Sequence, residues 1–239
     1  MFKQWIPIVF LLPLLLNAAE NTESDGTAWK GEGELGYTAT SGNTDSENLN
    51  ASLGVSRQAN SWKHAASIKS IRNKADDVTS ADSMGLKGRS EYQLSEKSYA
   101  FGQLRYEEDE FSGYDRQTSI AFGLGSRFLD NDRQLLDLSV GLGYRSSEES
   151  GTGDDIDDAI LTASLDYQYK ISESATFGET ILLESGDENT HSESDTSLKA
   201  KINGNLATKI SYRVKRNSDV PAGTDKSDEI VTLSLVYAF

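Results

Sequence analysis

The chain of 239 residues contains no cysteine, three prolines and two histidines. Lack of cysteine excludes a disulfide framework and any thiolate chemistry. Pro7 and Pro13 lie in the N-terminal apolar run, which leaves Pro221 as the one proline in the rest of the chain. Proline removes a ladder donor and is kept out of sheet interiors, so its scarcity leaves long strands uninterrupted. Long apolar runs are missing too. The longest, Ile6 to Leu16, is too short for a spanning helix, which needs about 20 residues. Lys3 precedes it and Asn17-Ala18-Ala19 follows, the layout of a secretory signal peptide over residues 1–19. Bases are outnumbered by acids, 23 against 38, for a net charge of −15. Such acidity excludes nucleic acid as a partner, because phosphate binding needs a basic face.

What the sequence does have is alternation. In the last strand Val231, Leu233, Leu235, Tyr237 and Phe239 share one face, with Thr232, Ser234 and Ala238 opposite. Ile230 and Val236 break the pattern. A soluble core strand is one reading of such a segment. An outer-membrane barrel is the other: its closing strand needs a lipid face and an aromatic at the interfacial girdle. On that reading Tyr237 and Phe239 form the assembly signal, met by periplasmic chaperones and the barrel-assembly machinery.

The same period recurs along the chain. Met84, Leu86, Tyr92 and Leu94 oppose Lys87, Arg89, Glu91 and Gln93; Leu136, Leu138, Val140, Leu142 and Tyr144 oppose Asp137, Ser139, Gly141, Gly143 and Arg145. The third strand, near Trp62 to Arg72, is less regular, since Ile68 and Ile71 differ in parity. Tyr99 and Phe101 fall on the Arg105 face, which implies either a bulge or aromatics inside the lumen. Asn203-Gly204-Asn205 reads as a type I′ hairpin turn. Polar stretches at 41–47, 73–82, 107–115, 146–158, 185–195 and 217–225 read as long loops, and they alternate with short turns. The expectation is all-β: a transmembrane antiparallel up-and-down barrel of about twelve strands, with short periplasmic turns and long external loops. The expected order is signal peptide (1–19), short periplasmic leader (20–27) and barrel (28–239), exported through the Sec pathway to a Gram-negative outer membrane and monomeric there.

Trp29-x-Gly31, Glu34-Leu35-Gly36 and Ser41-Gly42-Asn43-Thr44 open the barrel region. Arg105-Tyr106-Glu107, Phe111-Ser112-Gly113, Arg116, Gly123-Leu124-Gly125 and Gly141-Leu142-Gly143-Tyr144-Arg145 follow in its middle. In these motifs the chain resembles the salt-induced outer-membrane proteins, a YdiY-like family carried as a domain of unknown function. The resemblance implies an outer-membrane barrel and brings neither a substrate nor catalytic residues.

Strand parity places Lys87, Arg89, Arg105, Arg127, Arg145, Lys199, Lys201, Lys209, Arg213 and Lys215 on the lumen face, with Glu32, Glu34, Glu91, Asp137 and Asp166 among them. Lys30 and Lys170 share that face. Two readings follow. One is a narrow, porin-like, anion-preferring channel; the other is an ion-paired interior that conducts nothing. In the second case the protein is an envelope or salt-stress surface barrel whose acidic loops bind divalent cations or lipopolysaccharide. No enzyme is expected: His64 stands beside a turn without companions, and His191 stands in a loop. The run Asp154-Asp155-Ile156-Asp157-Asp158 lacks the ligand spacing of a Ca²⁺ loop, so neither metal nor cofactor is expected.

Overall fold

The computed structural model describes residues 28–40, 46–75, 78–110 and 112–239. Twelve strands follow in chain order: β1 (Lys30–Thr40), β2 (Ser46–Ala59), β3 (Trp62–Ala75), β4 (Val78–Gln93), β5 (Ser98–Asp109), β6 (Tyr114–Asp130), β7 (Gln134–Glu149), β8 (Asp155–Lys170), β9 (Ala175–Ser185), β10 (Thr190–Lys201), β11 (Leu206–Asn217) and β12 (Ser227–Ala238). Each pairs antiparallel with its sequence neighbours, and β1 pairs with β12 to close the barrel. The expected signal peptide and leader, 1–27, lie outside the described residues.

The large apolar side chains point outward. Leu142 is 72% exposed, Val231 70% and Phe122 63%, whereas Ser139, Thr162 and Arg145 on the inner wall are buried. That inversion suits a wall between lipid and a polar interior. On β12, Val231, Leu233, Leu235, Tyr237 and Phe239 are the exposed set; Val236 is buried inside. The mixed parity of β3 is resolved the same way, Ile68 exposed and Ile71 buried.

At the seam, Glu32 to Leu35 pair with Ala238 to Leu235. Beyond them the amide of Gly31 donates to Phe239 O (2.8 Å) and the amide of Phe239 donates to Gly31 O (2.9 Å). A Cβ at Gly31 would overlap the Phe239 ring where it stands, so a larger residue there would have to turn that ring aside.

Several polar stretches read as loops are strand instead. β3 runs to Ala75 and β4 begins at Val78, β7 runs to Glu149 and β8 begins at Asp155, and β10 begins at Thr190. Residues 107–109 likewise belong to β5 and 114–115 to β6. These extensions carry polar residues on both faces and so lack the alternation that marks a half-apolar strand. On β10 the outward residues Ser194 and Thr196 donate to Oε1 (2.9 Å) and Oε2 (2.6 Å) of Glu179, an acid on the outer wall. The hydroxyls supply the partners that a carboxylate loses on leaving water.

Four of the five short turns share one device, and the fifth, between β2 and β3, turns on Asn60 at φ +53°. Ser95 Oγ accepts from the Ser98 amide (3.1 Å), Asn131 Oδ1 from the Arg133 and Gln134 amides (3.0 Å), and Ser172 Oγ from the Ala175 amide (3.1 Å). Asn203 Oδ1 accepts from the Leu206 amide (3.3 Å) in the same way. The hairpin at 202–205 is present, but it is not type I′. Such a turn needs positive φ at both central residues, and neither Asn203 nor Gly204 has it.

β5 keeps an unbroken register with β4 and β6, so no bulge accounts for its aromatics. Tyr99 and Phe101 are buried inside the lumen. They lie flat against β6 and β7, where a Cβ at Gly125 would overlap the Tyr99 ring.

Two outcomes follow from this packing. Replacing Phe239 with Ser removes the ring over Gly31 and should lower the heat-modifiable, folded fraction in outer-membrane preparations several-fold; an undiminished folded band would refute the role given to this seam. Gly125→Ala should destabilise the refolded barrel by about 1–3 kcal/mol in a denaturant titration through overpacking. The loss should shrink in a Tyr99→Ala background, and equal losses in both backgrounds would exclude the contact as its cause.

Candidate functional site

The interior is built of charge. In its outer half, nearer the long connections, Arg105 on β5 reaches across to Glu184 on β9 (3.1 Å), and Nη2 lies 2.9 Å from Nε2 of His191 on β10. Arg105 also pairs with Glu107 on its own strand, and Lys215 on β11 crosses to Glu107 and to Asp109 (3.0 Å). Arg145 on β7 holds Asp158 on β8 (2.9 Å) and donates to the carbonyl of Asn189 (2.6 Å). Glu184 is 0% exposed and Arg145 1%. The expectation of His191 in a loop is corrected: it lies on β10, 3% exposed, 3.0 Å from Asn217 Oδ1 through Nδ1.

The connections above this network fold over it. Tyr114 Oη donates to the carbonyl of Asp219 (3.1 Å), Asn217 Nδ2 to that of Ser112 (3.3 Å), and the Ser218 amide to Asn189 Oδ1 (3.0 Å). Gly113, at φ +88°, lets the β5–β6 connection turn against Val220 and Pro221. The acidic run at 154–158 is split by β8: Asp158 turns inward to Arg145, and Asp157 stays exposed outside.

The inner half is organised differently. Arg89 bonds Glu91 (3.0 Å), Gln103 (3.1 Å) and Ser139 (3.2 Å), and its guanidinium lies 3.9 Å from the centroid of the Phe101 ring. Arg127 bonds Glu91 (2.8 Å) and lies 4.9 Å from the Tyr99 ring centroid. Both stacks are cation–π contacts on rings pressed against one wall.

On the opposite wall Lys199 pairs with Glu32 (2.6 Å) and Lys209 with Glu34 (3.0 Å). Arg213 pairs with Glu193 (3.1 Å) and with Asp195. Lys201 is exposed at the end of β10. Tyr237 and Phe239 stand stacked on the outer wall, ring centroids 6.4 Å apart, and are not part of the lumen.

The bases of the sequence reading are thus spread over three groups, and most are paired. Sequence reasoning missed six of the acids that pair them: Glu107, Asp109, Asp158, Glu184, Glu193 and Asp195. All but Glu184 lie in stretches taken for loop, where no parity was assigned; Glu184 stands next to Leu183 at the end of a strand. Strand alternation carried through from Arg105 and from Leu198 is the signal that finds them.

Two chambers of about 780 and 760 Å³ remain. The first is lined by Lys69, Lys199, Lys209, Arg213 and Glu193, and the second extends to Lys30, Asn205 and Phe239 at the inner rim. Lys87, Asp166 and Leu182 line both. Among the described residues Lys87 has no carboxylate within ion-pairing distance. On the outer wall His64 has a companion that the sequence did not reveal: its Nδ1 lies 2.9 Å from Ser90 Oγ.

A family model described as "Protein of unknown function, DUF481" matches residues 33–239. "Uncharacterized protein YdiY" of Escherichia coli (strain K12) is 27% identical over 210 residues, covering 87% of this chain and 82% of the relative. Among solved structures the NanC porin is similar with TM-score 0.53 at 15% identity, over 88% of this chain and 98% of that one. An outer membrane channel from Pseudomonas putida F1 gives TM-score 0.52 at 10% identity, over 92% and 100%. At such identities the likeness to solved structures is one of fold, that of the outer-membrane barrel. With the family model matched from Gly33 to Phe239, the chain belongs to the DUF481 family of unknown function, the YdiY-like family its motifs resemble.

Proposed function

We propose that the protein is a narrow, anion-preferring outer-membrane channel, held shut in its outer half by ion pairs that cross the lumen. The observation that carries this reading is Lys87. Its ammonium stands where the two chambers meet, with no carboxylate within 4.0 Å among the described residues and with Glu184, Glu193 and Asp166 acting on it from farther off, so an entering anion meets an ammonium that is not tied into an ion pair. Most of the other lumen bases are matched by acids, and Lys30, Lys170 and Lys201 stand exposed at the ends of their strands. The shut state is supported by the burial of Glu184, Arg145 and His191 and by the connections folded across them. Removing one partner of a buried pair leaves a charge uncompensated and costs about 3–5 kcal/mol, so the network is stiff while complete and loosens when cut.

The same packed outer half is the observation favouring the second reading, a surface barrel that conducts nothing. Planar bilayers under a salt gradient separate the two. On the channel reading the wild type opens rarely, with a reversal potential on the anion side. Glu184→Gln should raise open probability several-fold, and Lys87→Gln should move the reversal potential toward zero while leaving the denaturation midpoint unchanged. Silence of the wild type and of Glu184→Gln alike would establish the second reading. An unmoved reversal potential in Lys87→Gln would remove Lys87 as the selective group.

A further inference from the structure

We infer that Glu179 on the outer wall binds the primary ammonium of an aminophospholipid, with Ser194 and Thr196 completing the site. Along β9, Phe177 precedes this acid on the same face, and the lipid-facing Ile181 and Leu183 follow it. Other outward acids, such as Glu108, Asp157 and Glu229, lie toward the outer ends of their strands, a step beyond the level of Tyr106, Tyr144 and Tyr212. Glu179 instead has large apolar side chains on both sides along its strand. An ionisable group at such a depth is costly and marks a site with a partner. The barrel itself supplies no opposite charge: among the described residues no lysine or arginine comes within 4.0 Å of Glu179.

What the site has left to offer is acceptor capacity. Ser194 gives its hydroxyl hydrogen to Oε1 of Glu179 (2.9 Å), and Thr196 gives its own to Oε2 (2.6 Å). The remaining lone pairs, on the carboxylate and on both hydroxyl oxygens, can only receive hydrogens. All three residues are half-buried, so the group stays within reach from the bilayer. Tyr167 is the cross-strand partner of Glu179 on one side, and Tyr212 is that of Thr196 on the other. A primary ammonium brings three donors and a positive charge to these acceptors, and aromatic rings beside it add cation–π attraction.

Depth points to a headgroup of the inner leaflet. Tyr169 and Phe177 are cross-strand partners beside the short turns, and Arg133 of the β6–β7 turn lies 6.0 Å from the Tyr169 ring centroid. That row is the aromatic girdle of the periplasmic interface. Glu179 stands one step beyond Phe177, roughly 6–7 Å along the strand, where a headgroup drawn in past the girdle meets it. A second copy of the chain fits less well. A two-fold contact here would set Glu179 near its own copy. It would also face acceptors with acceptors, because Ser194 and Thr196 already donate within their own barrel.

The test is selective retention. The barrel is reconstituted into vesicles holding equal amounts of phosphatidylethanolamine, phosphatidylcholine and phosphatidylglycerol with the same acyl chains, extracted in mild detergent and weighed by native mass spectrometry. The wild type should keep phosphatidylethanolamine about tenfold over phosphatidylcholine, whose quaternary ammonium has the charge but no N–H, and over phosphatidylglycerol, which has no amine. Glu179→Gln keeps the shape and removes the charge, and it should bring phosphatidylethanolamine down to the level of the other two. Heat-modifiability reports whether the variant is folded; if it is not, the comparison of the three lipids on the wild type decides alone. Equal retention of the three lipids by the wild type, or an unchanged preference in folded Glu179→Gln, would overturn the assignment. A wild-type dimer lost in Glu179→Gln would overturn it as well, by giving the carboxylate to a second copy.

Discussion

The backbone of a strand in lipid must find all its hydrogen-bond partners in protein, because hydrocarbon offers none. The rest of this structure depends on that constraint. It forces β1 against β12, and at the inner end the burden falls on Phe239, whose amide and carbonyl both bond Gly31. Once the ring of strands is closed, the inner wall has a fixed radius. Charges on it then lie within reach of one another whether or not their interaction is favourable.

The charges respond by pairing across strands that are far apart in sequence: Arg105 with Glu184, Lys215 with Asp109, Lys199 with Glu32. Taking a charge out of water is costly, and a partner with good geometry is what makes it tolerable. The interior resembles a polar core in its outer half and a hydrated vestibule in its inner half. Arg89 and Arg127 mark the change, since each satisfies its charge partly with carboxylates and partly with the faces of Tyr99 and Phe101. An acidic protein with a paired interior must carry its excess negative charge outside, on the loops and strand extensions.

Fold and face assignment were legible wherever one face is apolar. The alternation at Met84 to Leu94 or at Leu136 to Tyr144 leaves little choice, because a slip of one residue would send a lysine or arginine into lipid. Legibility failed where both faces are polar. β10 presents Ser194 and Thr196 outward and Glu193 and Asp195 inward, so period two leaves no trace in hydropathy and the segment reads as loop. The hidden carboxylates followed from that failure: the lumen looked basic because the acids opposite Arg213 and Lys215 had been assigned to the connections. Trans-lumen pairs and the meeting of His64 with Ser90 depend on barrel registry, which local pattern does not encode. The turn at 202–205 was legible as a hairpin but not in its geometry, because an asparagine at its first turn can bond the backbone ahead of it instead of adopting positive φ.

The contact of Tyr99 with Gly125 also bears on how such a sequence can change over generations. Enlarging Gly125 first drives a methyl group into an aromatic ring held between that wall and the Arg89 and Arg127 guanidiniums, a barrier met at once. Shrinking Tyr99 first opens a space beside the wall, which water and the Arg89 side chain can enter, and only then does Gly125 become free to vary. The path is passable in one order and blocked in the other. Descendants of a barrel packed this way are therefore expected to lose the tyrosine before the glycine, and lineages with neither should have passed through an intermediate that kept the glycine alone.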